Sequence, residues 1–433
     1  MARYESYKES GVKWLGKIPS HWEVKSLRHF LTPFSEKNHA DKPLLSVTRE
    51  KGVILRGSKG EDDNHNVIPE DLSGYKYVKQ GDFIINKMKS WQGSYGITDY
   101  EGIVSPAYFT YHLNFPNKQF FSMALRSKAY IPFFMQYSKG IRVDQWDLTP
   151  ESLKTIPLFL PSEEEQEAIV DYLDKVTRDI DKVIEAQQKL IDALNERKQI
   201  IITNAVTKGL DQTVQLKDSG IDWIGQIPEH WEIKKLKNLA EIKGRIGFRG
   251  YTNADLVEEG EGALTLSPSN IINGKMNYDK CSYLSWYKYN ESPEIMVHNG
   301  NILFVKTGSS YGKTAFVTKL PMEATINPQF SLIKANYIDS EFLNYAISSQ
   351  YFKLQVERGV IGSTIPTISQ NAIGNMIILC PPDKEQKEID EKLKLTLEDI
   401  DSSIYNCEKM ISLLQERKQI IINDVVTGKK KVI

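Results

Sequence analysis

The chain has 433 residues, of which 40% are hydrophobic and 26% charged, and this length suits two or three domains that each bury a core. It contains no run of about 18 apolar residues and so offers no membrane span, and its beginning, MARYESYKESG, lacks the apolar stretch of a secretory signal. Three widely spaced cysteines do not make a disulfide framework and favour a reduced, cytoplasmic setting, while a net charge of −1 leaves any nucleic-acid binding to local basic surfaces.

Each half of the chain opens with the same motif. Residues 10–27 read SGVKWLGKIPSHWEVKSL, and residues 219–236 read SGIDWIGQIPEHWEIKKL. The prolines and glycines exclude a helix, so we predict two extended segments, here called the first and second openers, that are anchored by their tryptophans. His21 and its counterpart His230 have no constellation of carboxylates or cysteines nearby in the sequence, and we interpret them as packing residues rather than catalytic ones.

A region rich in glycine, aromatic and β-branched residues follows each opener. Its apolar runs predict strands at residues 44–48, 83–86, 107–112, 302–305 and 315–318. Helical periodicity predicts short helices at residues 119–136 and 340–357, and Thr149 and Ser369 are placed to cap one further helix in each region. The two regions share these landmarks but not the loops between them, which favours two related tasks on two different targets.

Two long blocks, residues 161–211 and 381–431, match each other at a constant offset of 220 residues. Their apolar residues recur three and four positions apart, the spacing of a coiled-coil seam. The predicted seam is Ile169, Leu173, Val176, Ile180, Val183, Gln187, Leu190 and Leu194 in the first block and Ile389, Leu393, Leu397, Ile400, Ile404, Cys407, Ile411 and Leu414 in the second. Helices of about 40 residues would be roughly 60 Å long. Each could pack on its own domain, but two matched rods of this length favour packing on each other.

Motifs for catalysis fail on their spacing. Residues 308–314, GSSYGKT, have three residues between the glycines where a phosphate-binding loop needs four. Residues 105–108 (SPAY) and 327–330 (NPQF) resemble the catalytic tetrapeptide of adenine methyltransferases, but both lack its second proline and no glycine-rich cofactor loop accompanies them. The histidines and cysteines show no metal-ligand spacing. We therefore expect a chain that is not an enzyme and that binds no cofactor or metal itself.

Two loops without acidic residues, at matched positions, are the candidates for DNA binding. Each follows a predicted strand and combines glycine with side chains that reach phosphates and base edges. Residues 120–143 and 296–321 also contain no Asp or Glu. The candidate DNA-binding residues are Lys87, Lys89, Trp91, Gln92, Ser94, Tyr95, Arg142, Lys306, Thr307, Ser309, Ser310, Tyr311 and Lys313.

The two openers, together with the twin blocks that carry EEQEAI and ERKQIIITNAVTKGLD, strongly resemble the specificity subunit of type I restriction–modification systems over essentially the whole chain. The resemblance implies an α+β fold with two α/β target recognition domains separated by two long helices that pair as an antiparallel coiled coil. It also implies a pseudo-two-fold, quasi-circular arrangement with Met1 near Ile433. The implied parts are a first recognition domain at residues 1–160, a helical spacer at 161–211, a second recognition domain at 212–380, and a second spacer with the C-terminal tail at 381–433.

The same resemblance implies a non-catalytic, sequence-specific DNA-binding subunit. Each recognition domain would read one half of a bipartite, asymmetric site on double-stranded DNA, and the helices would set the gap and dock two methyltransferase subunits. Those partners would use S-adenosylmethionine, and translocase-nuclease restriction subunits, which use ATP and Mg, could join them. From the residues alone, two alternatives stay open: a coiled-coil scaffold whose globular domains bind protein, and an orphan DNA-binding protein.

Overall fold

The computed structural model describes residues 3–57, 68–139, 146–221, 223–272, 274–359 and 366–432. The chain divides into two compact units: unit 1 is Met1–Gln188 with Glu408–Ile433, and unit 2 is Lys189–Cys407. Each unit therefore contains one opener, one mixed α/β body and a part of both long helices. No helix in the described ranges is long and apolar enough to cross a membrane.

Unit 1 is built around an antiparallel sheet in the order β4–β11–β8–β9. The strands of unit 1 are β1 (Tyr7–Glu9), β2 (Lys17–Pro19), β3 (Glu23–Ser26), β4 (Leu31–Phe34), β5 (Leu45–Thr48), β6 (Gly52–Leu55), β7 (Lys76–Val78), β8 (Phe83–Asn86), β9 (Tyr95–Ile97), β10 (Gly102–Val104), β11 (Tyr108–Leu113), β12 (Ser138–Lys139), β13 (Asp147–Leu148) and β14 (Pro157–Leu160). Its helices are α1 (Lys118–Arg126), α2 (Ile131–Tyr137), α3 (Pro150–Thr155) and the first part of α4 (Glu163–Lys208). The pairs β5–β6 and β7–β10 complete the body of this unit.

Unit 2 repeats this plan with more strands. Its strands are β15 (Leu216–Asp218), β16 (Gln226–Pro228), β17 (Glu232–Lys235), β18 (Ala240–Lys243), β19 (Leu256–Val257), β20 (Gly262–Leu266), β21 (Ile271–Ile272), β22 (Lys275–Met276), β23 (Ser282–Ser285), β24 (Met296–Val297), β25 (Ile302–Val305), β26 (Thr314–Phe316), β27 (Ala324–Ile326), β28 (Phe330–Ala335) and β29 (Ile377–Cys380). Its helices are α5 (Trp286–Asn290), α6 (Ser340–Ser348), α7 (Gln350–Gly359), α8 (Gln370–Gly374) and the first part of α9 (Asp383–Val426). The main sheet runs β18–β28–β25–β26–β22–β21, so its first four strands follow the order of unit 1, and a second sheet runs β19–β23–β20–β27–β24.

The local predictions are confirmed for the two strands described next and for both helix caps. The strands at 83–86 and 302–305 are β8 and β25, whose apolar residues are buried between neighbouring strands. Thr149 and Ser369 cap α3 and α8 by accepting the N–H groups of Ser152 and Ala372. The strand expected at 315–318 lies at Thr314–Phe316 instead. The helices expected at 119–136 and 340–357 each divide in two, because the backbone turns extended at Ser127 and at Ser349.

Each opener is fixed to its unit by a tryptophan and a glutamate. Trp22 and Trp231 are fully buried, and their indole N–H groups donate at 3.1 Å to Glu165 and Glu385 near the start of α4 and α9. The ring nitrogens of the opener histidines lie 2.9 Å and 2.7 Å from the same two carboxylates. The long helices thus supply the carboxylates that the sequence neighbours of the histidines lack.

The core of each unit includes the beginning of one long helix and the end of the other. In unit 1, Trp22 shares a cluster with Ile169 of α4 and Val425 of α9. In unit 2, Trp231 shares a cluster with Ile389 of α9 and Val206 of α4. Met1 and Ile433 lie outside the described residues, but the segments next to them belong to the unit 1 cluster, at Tyr4 and Val432.

Helices α4 and α9 run antiparallel. Asp181 pairs with Lys418 at 2.7 Å and Lys198 with Asp401 at 2.5 Å, so 17 residues forward on α4 (181 to 198) correspond to 17 residues backward on α9 (418 to 401). The predicted seam of α9 holds, since all of its positions are buried or half-buried.

The predicted seam of α4 is wrong at Val183 and Leu190, which are 45% and 46% exposed, whereas Ile191 is 7% exposed. Buried positions on α4 recur instead at Ile169, Ile191 and Ile202, with the half-buried Ile180 between them, at intervals of 11 residues. An 11-residue repeat corresponds to about 3.67 residues per turn, which is closer to the 3.6 of a straight α-helix than the 3.5 of a seven-residue repeat. It therefore does not impose a left-handed supercoil.

Candidate nucleic-acid interface

In both units the ends of three neighbouring strands meet at one side of the main sheet. In unit 2, β28 pairs antiparallel with both β18 and β25, so the ends of β18 and β25 lie beside the start of β28. In unit 1, β11 stands in the same relation to β4 and β8. We call this side of each sheet the rim. The residues directly beyond the strands at the rim of unit 2 are Gly244, Lys306 and Gln329.

Lys306 is held at the rim of unit 2 by its backbone. Its N–H donates to the Gln329 carbonyl at 2.8 Å, and its carbonyl accepts the N–H of Ile368 at 2.9 Å. A Cβ on Gly244 would lie 3.1 Å from Lys306 Nζ and would collide with Gln370 Nε2, so the ammonium and the amide converge over bare backbone. Burial lowers the pKa of Lys306, and no carboxylate in the described part of the chain forms an ion pair with it. A cation placed in this way suits an anionic ligand.

Arg245, the neighbour of Gly244, is a buried support rather than a surface contact. Only 7% of it is exposed, and its guanidinium donates to the Ile326 carbonyl and, at 2.9 Å, to the Thr325 hydroxyl. It also lies 5.1 Å from the centre of the Tyr251 ring. Burial lowers the pKa of Arg245, and the nearby Tyr251, Glu294 and Glu291 oppose this effect only in part. Arg245 therefore fastens the segment after β18 to the end of β27 and adds positive potential beneath the rim.

The glycine loop after β25 presents some of its predicted residues and retains others. Ser309 and Lys313 are exposed, while Thr307, Ser310 and Tyr311 are half-buried. Tyr311 packs against the hydrophobic cluster of unit 2. Gly308 has a φ of +98°, a conformation that favours glycine, and its N–H donates to the Pro366 carbonyl at 3.1 Å. The loop is thus tied down at Gly308 and displays its polar side chains around Lys306.

The rim of unit 1 collects three lysines. Burial, reinforced by repulsion from Lys37 and Lys87, lowers the pKa of Lys76. The Lys76 ammonium donates to the Tyr108 carbonyl at the start of β11. Lys87 follows β8 as Lys306 follows β25, but it pairs with Asp147 at 2.9 Å. The two rims are therefore equivalent in backbone and different in charge.

The loop after β8 gives a mixed result for the remaining predicted residues of unit 1. Lys89 is exposed, and Trp91 and Gln92 are half-buried, with Trp91 packed on Trp146 at 5.5 Å. Ser94 and Tyr95 are buried at 3% and 1% exposure. Arg142 lies outside the described residues.

Tyr95 belongs to the core and not to the rim. Its hydroxyl donates to the Leu125 carbonyl at 2.7 Å, and its ring stacks on Phe134 at 4.0 Å. Burial raises the pKa of Tyr95, which keeps the hydroxyl protonated as a donor. Because Tyr95 lies on β9, within the sheet, its side chain is directed by the strand rather than by the loop. Buried in this way, Tyr95 and Ser94 cannot contact a ligand at the rim.

Sequence reasoning missed Lys37, Lys76, Gln329 and Gln370. Lys76 lies near both Lys37 and Lys87 in unit 1, and Gln329 and Gln370 lie near Lys306 in unit 2. In each unit the fold brings these residues together from distant parts of the chain, so no local pattern identifies them. Gln370 offered one signal, because it follows the Ser369 cap of α8 at a landmark that both halves share. Within the described ranges, no group of three or more His, Cys, Asp or Glu could hold a metal ion.

Comparison of the sequence with known proteins gives matches over one domain and over the whole chain. A family model for the type I restriction modification DNA specificity domain matches residues 228–406. The type I restriction enzyme MjaVIII specificity subunit of Methanocaldococcus jannaschii is 26% identical over 445 residues, covering 98% of this chain and 97% of that one. The putative MjaX specificity subunit of the same organism is 27% identical over 448 residues, covering 98% of both. The EcoKI specificity subunit of Escherichia coli is 23% identical over 208 residues, which are 47% of this chain and 44% of that one.

The fold is also similar to a solved one. A chain from a structure concerned with complex assembly and conformational transition of the type I R-M system has a TM-score of 0.67 and covers 95% of this chain and 99% of its own length. At 15% sequence identity, this likeness concerns the fold alone.

Proposed function

We propose that this chain, which is similar over its length to type I restriction–modification specificity subunits, is such a subunit and recognises the DNA sequence for its system. Unit 1 reads one half of a bipartite, asymmetric site on double-stranded DNA, and unit 2 reads the other half. The chain itself is non-catalytic and acts by positioning its partners on the DNA.

The observation that carries this proposal is the repeated rim. Two equivalent sheets have basic side chains beside the same strand ends, around Lys76 in unit 1 and around Lys306 in unit 2. Ammonium groups and amides on such a surface hold phosphates and position the protein, while polar loop side chains contact base edges. The loops of the two units differ, so two units with one scaffold are suited to two different half-sites.

The long helices suit the role of a rigid spacer. Helix α4 has 46 residues and is about 69 Å long, and ion pairs such as that of Lys198 with Asp401 tie it to α9. The length of this pair then fixes the number of unspecified base pairs between the half-sites.

Partners dock on the exposed apolar residues of the helices. Single exposed apolar side chains are normal on a soluble helix, but a series of them on one element favours an interaction surface. The exposed apolar residues of α9 are Leu395, Tyr405, Met410, Leu413 and Ile420. Two methyltransferase subunits that use S-adenosylmethionine occupy this surface, and restriction subunits that use ATP and Mg join the complex. The chain holds none of these cofactors itself.

Exchange of one recognition region tests the proposal. The full chain is co-purified with its methyltransferase subunits, and residues 236–380 are replaced by the matching region of a relative. Methylome sequencing should show that one half-site changes while the other half and the gap stay the same. Replacement of Lys313 by Ala should weaken binding, whereas replacement of Lys17, which pairs with Glu9 in the first opener, serves as the matched control. A change in both half-sites, or no preference for any duplex, would contradict the proposal.

A further inference from the structure

Lys87 and Lys306 are structurally equivalent, but the residues beside them differ in charge. Each lysine directly follows the central strand of its sheet. Each accepts a backbone hydrogen bond at its carbonyl, from Leu148 at 3.2 Å in unit 1 and from Ile368 at 2.9 Å in unit 2. The residue before each of these donors therefore occupies the same place in the two units. That residue is Asp147 in unit 1 and Thr367 in unit 2.

This difference changes what each lysine can do. In unit 1, Asp147 Oδ2 lies 2.9 Å from Lys87 Nζ, and the two side chains form a neutral pair. In unit 2, Thr367 brings no charge, and it forms a backbone bridge to Thr307, next to Lys306. Lys306 remains a half-buried cation without an ion pair in the described part of the chain. A lysine that is already neutralised by a carboxylate does not neutralise a phosphate and so releases no counterion from the DNA. An unneutralised lysine that contacts a phosphate does release one.

The surroundings of Lys306 favour a ligand that accepts hydrogen bonds, such as a phosphate, over the amino edge of adenine or cytosine. The groups that converge there are donors, Lys306 Nζ and Gln370 Nε2, and a phosphate oxygen accepts from both. The exocyclic amino groups of adenine and cytosine would instead need an acceptor at this point. Because Gly244 has no side chain, the Gln370 amide and the Lys306 ammonium can both lie over its backbone and present their donors together.

We infer that unit 2 holds a DNA phosphate between Lys306 and Gln370 over Gly244, that unit 1 makes no such contact through Lys87, and that the residue at Asp147 or Thr367 decides the difference. This inference rests on the proposed function, because it names how the two recognition units bind the same DNA unequally. The unit 2 contact is independent of sequence and adds one phosphate to the salt dependence of binding.

Reciprocal substitutions at the deciding position test the inference. In the full chain with its methyltransferase subunits, Thr367→Asp places a carboxylate beside Lys306, and Thr367→Asn is the uncharged control of similar size. Binding is measured on target and unrelated duplexes from 50 to 200 mM salt. Thr367→Asp should reduce the magnitude of the log–log salt slope by about 0.9, so that affinity falls about 3.5-fold less over this range. Lys306→Ala should have the same effect, and Thr367→Asn should have none.

Unit 1 supplies the opposite half of the test. Asp147→Asn frees Lys87 and should steepen the slope by about 0.9, while the double variant Lys87→Ala with Asp147→Asn, which removes the neutral pair as a whole, should leave the slope unchanged. If Thr367→Asp does not fold, Lys306→Ala against this double variant still decides the question. Equal slopes for these two variants, or a loss confined to one target base, overturn the inference. A wild-type complex that prefers no duplex would instead overturn the proposed function, so the two failures are distinguishable.

Discussion

Replacing Glu165 by Gln should loosen the first opener far more than the matched change of Glu385 loosens the second. Both carboxylates hold a tryptophan and a histidine of their opener. The carboxylate of Glu165 also accepts a hydrogen bond from the Tyr4 hydroxyl, on the oxygen that the tryptophan and the histidine do not use. Burial and this hydrogen bond raise the pKa of Tyr4, so its hydroxyl stays a donor. Thr213 stands where Tyr4 would be repeated in the second half.

The expected size of the effect follows from how the oxygens are used. Both oxygens of Glu165 accept bonds, and its side chain is 4% exposed. An amide at this position offers one acceptor oxygen, so the Tyr4 hydroxyl loses its acceptor in a buried site. The loss of a charge-assisted bond and the orphaned donor together cost about 3 kcal/mol. At Glu385 both donors use one oxygen and the side chain is 23% exposed. An amide can keep those bonds there, at a cost of about 1 kcal/mol.

Hydrogen exchange measured by mass spectrometry on the two openers is the appropriate assay, because it reports the opening of one segment. The difference of about 2 kcal/mol corresponds to roughly 30-fold faster opening of residues 3–27 in Glu165→Gln than of residues 212–236 in Glu385→Gln. Tyr4→Phe should abolish most of the difference, since the orphaned donor is then absent. Equal effects of the two glutamine variants, or an effect of Glu165→Gln that persists in full with Tyr4→Phe, would refute this account.

Three further predictions concern the helices, the carboxylates Asp390, Glu341 and Asp339 that lie together, and the activity. Ile191→Ala should destabilise the chain by about 2 to 3 kcal/mol and Leu190→Ala by less than about 0.5 kcal/mol in urea unfolding, because Ile191 is 7% exposed and Leu190 46% exposed; equal losses would restore the seven-residue seam. Burial, reinforced by Glu341 and Asp339 and opposed by Lys394, raises the pKa of Asp390 from 3.8 to about 7. The folded chain then binds this proton more tightly than the unfolded chain does, so the free energy of unfolding should fall as the pH rises from 4 to 7. Asp390→Asn should recover about 1 kcal/mol at pH 8, after allowance for solvent screening, and nothing at pH 4. A variant that is no more stable than the wild type at pH 8 would contradict this prediction. The purified chain given labelled S-adenosylmethionine and target DNA should transfer no methyl group, and transfer stoichiometric with the chain would end the interpretation as a non-catalytic subunit.

The candidate site shows how far a linear pattern can identify an interface. The strands that precede Lys87 and Lys306 are visible in the sequence because their apolar runs are local, and in the structure a loop follows each of them. The sequence could not show that Lys76 and Gln370 approach these lysines, since the tertiary fold brings them together across long stretches of chain. Nor could it separate Tyr95 from its exposed neighbours, because the loop ends and β9 begins within a few polar residues.

The sequence by itself determined the duplicated openers, the two long helices, the central strands and the helix caps, because each depends on repetition or on interactions between near neighbours. Tertiary structure alone decided which face of α4 is buried, since an 11-residue recurrence and a seven-residue recurrence share Ile169 and Ile180 and diverge beyond them, where Val183 and Leu190 are exposed and Ile191 is buried. It also decided that Lys87 is neutralised by Asp147, whereas Lys306 has no ion-pair partner among the described residues. The charge available at a rim depends on residues about 60 positions apart that only the folded sheet places side by side.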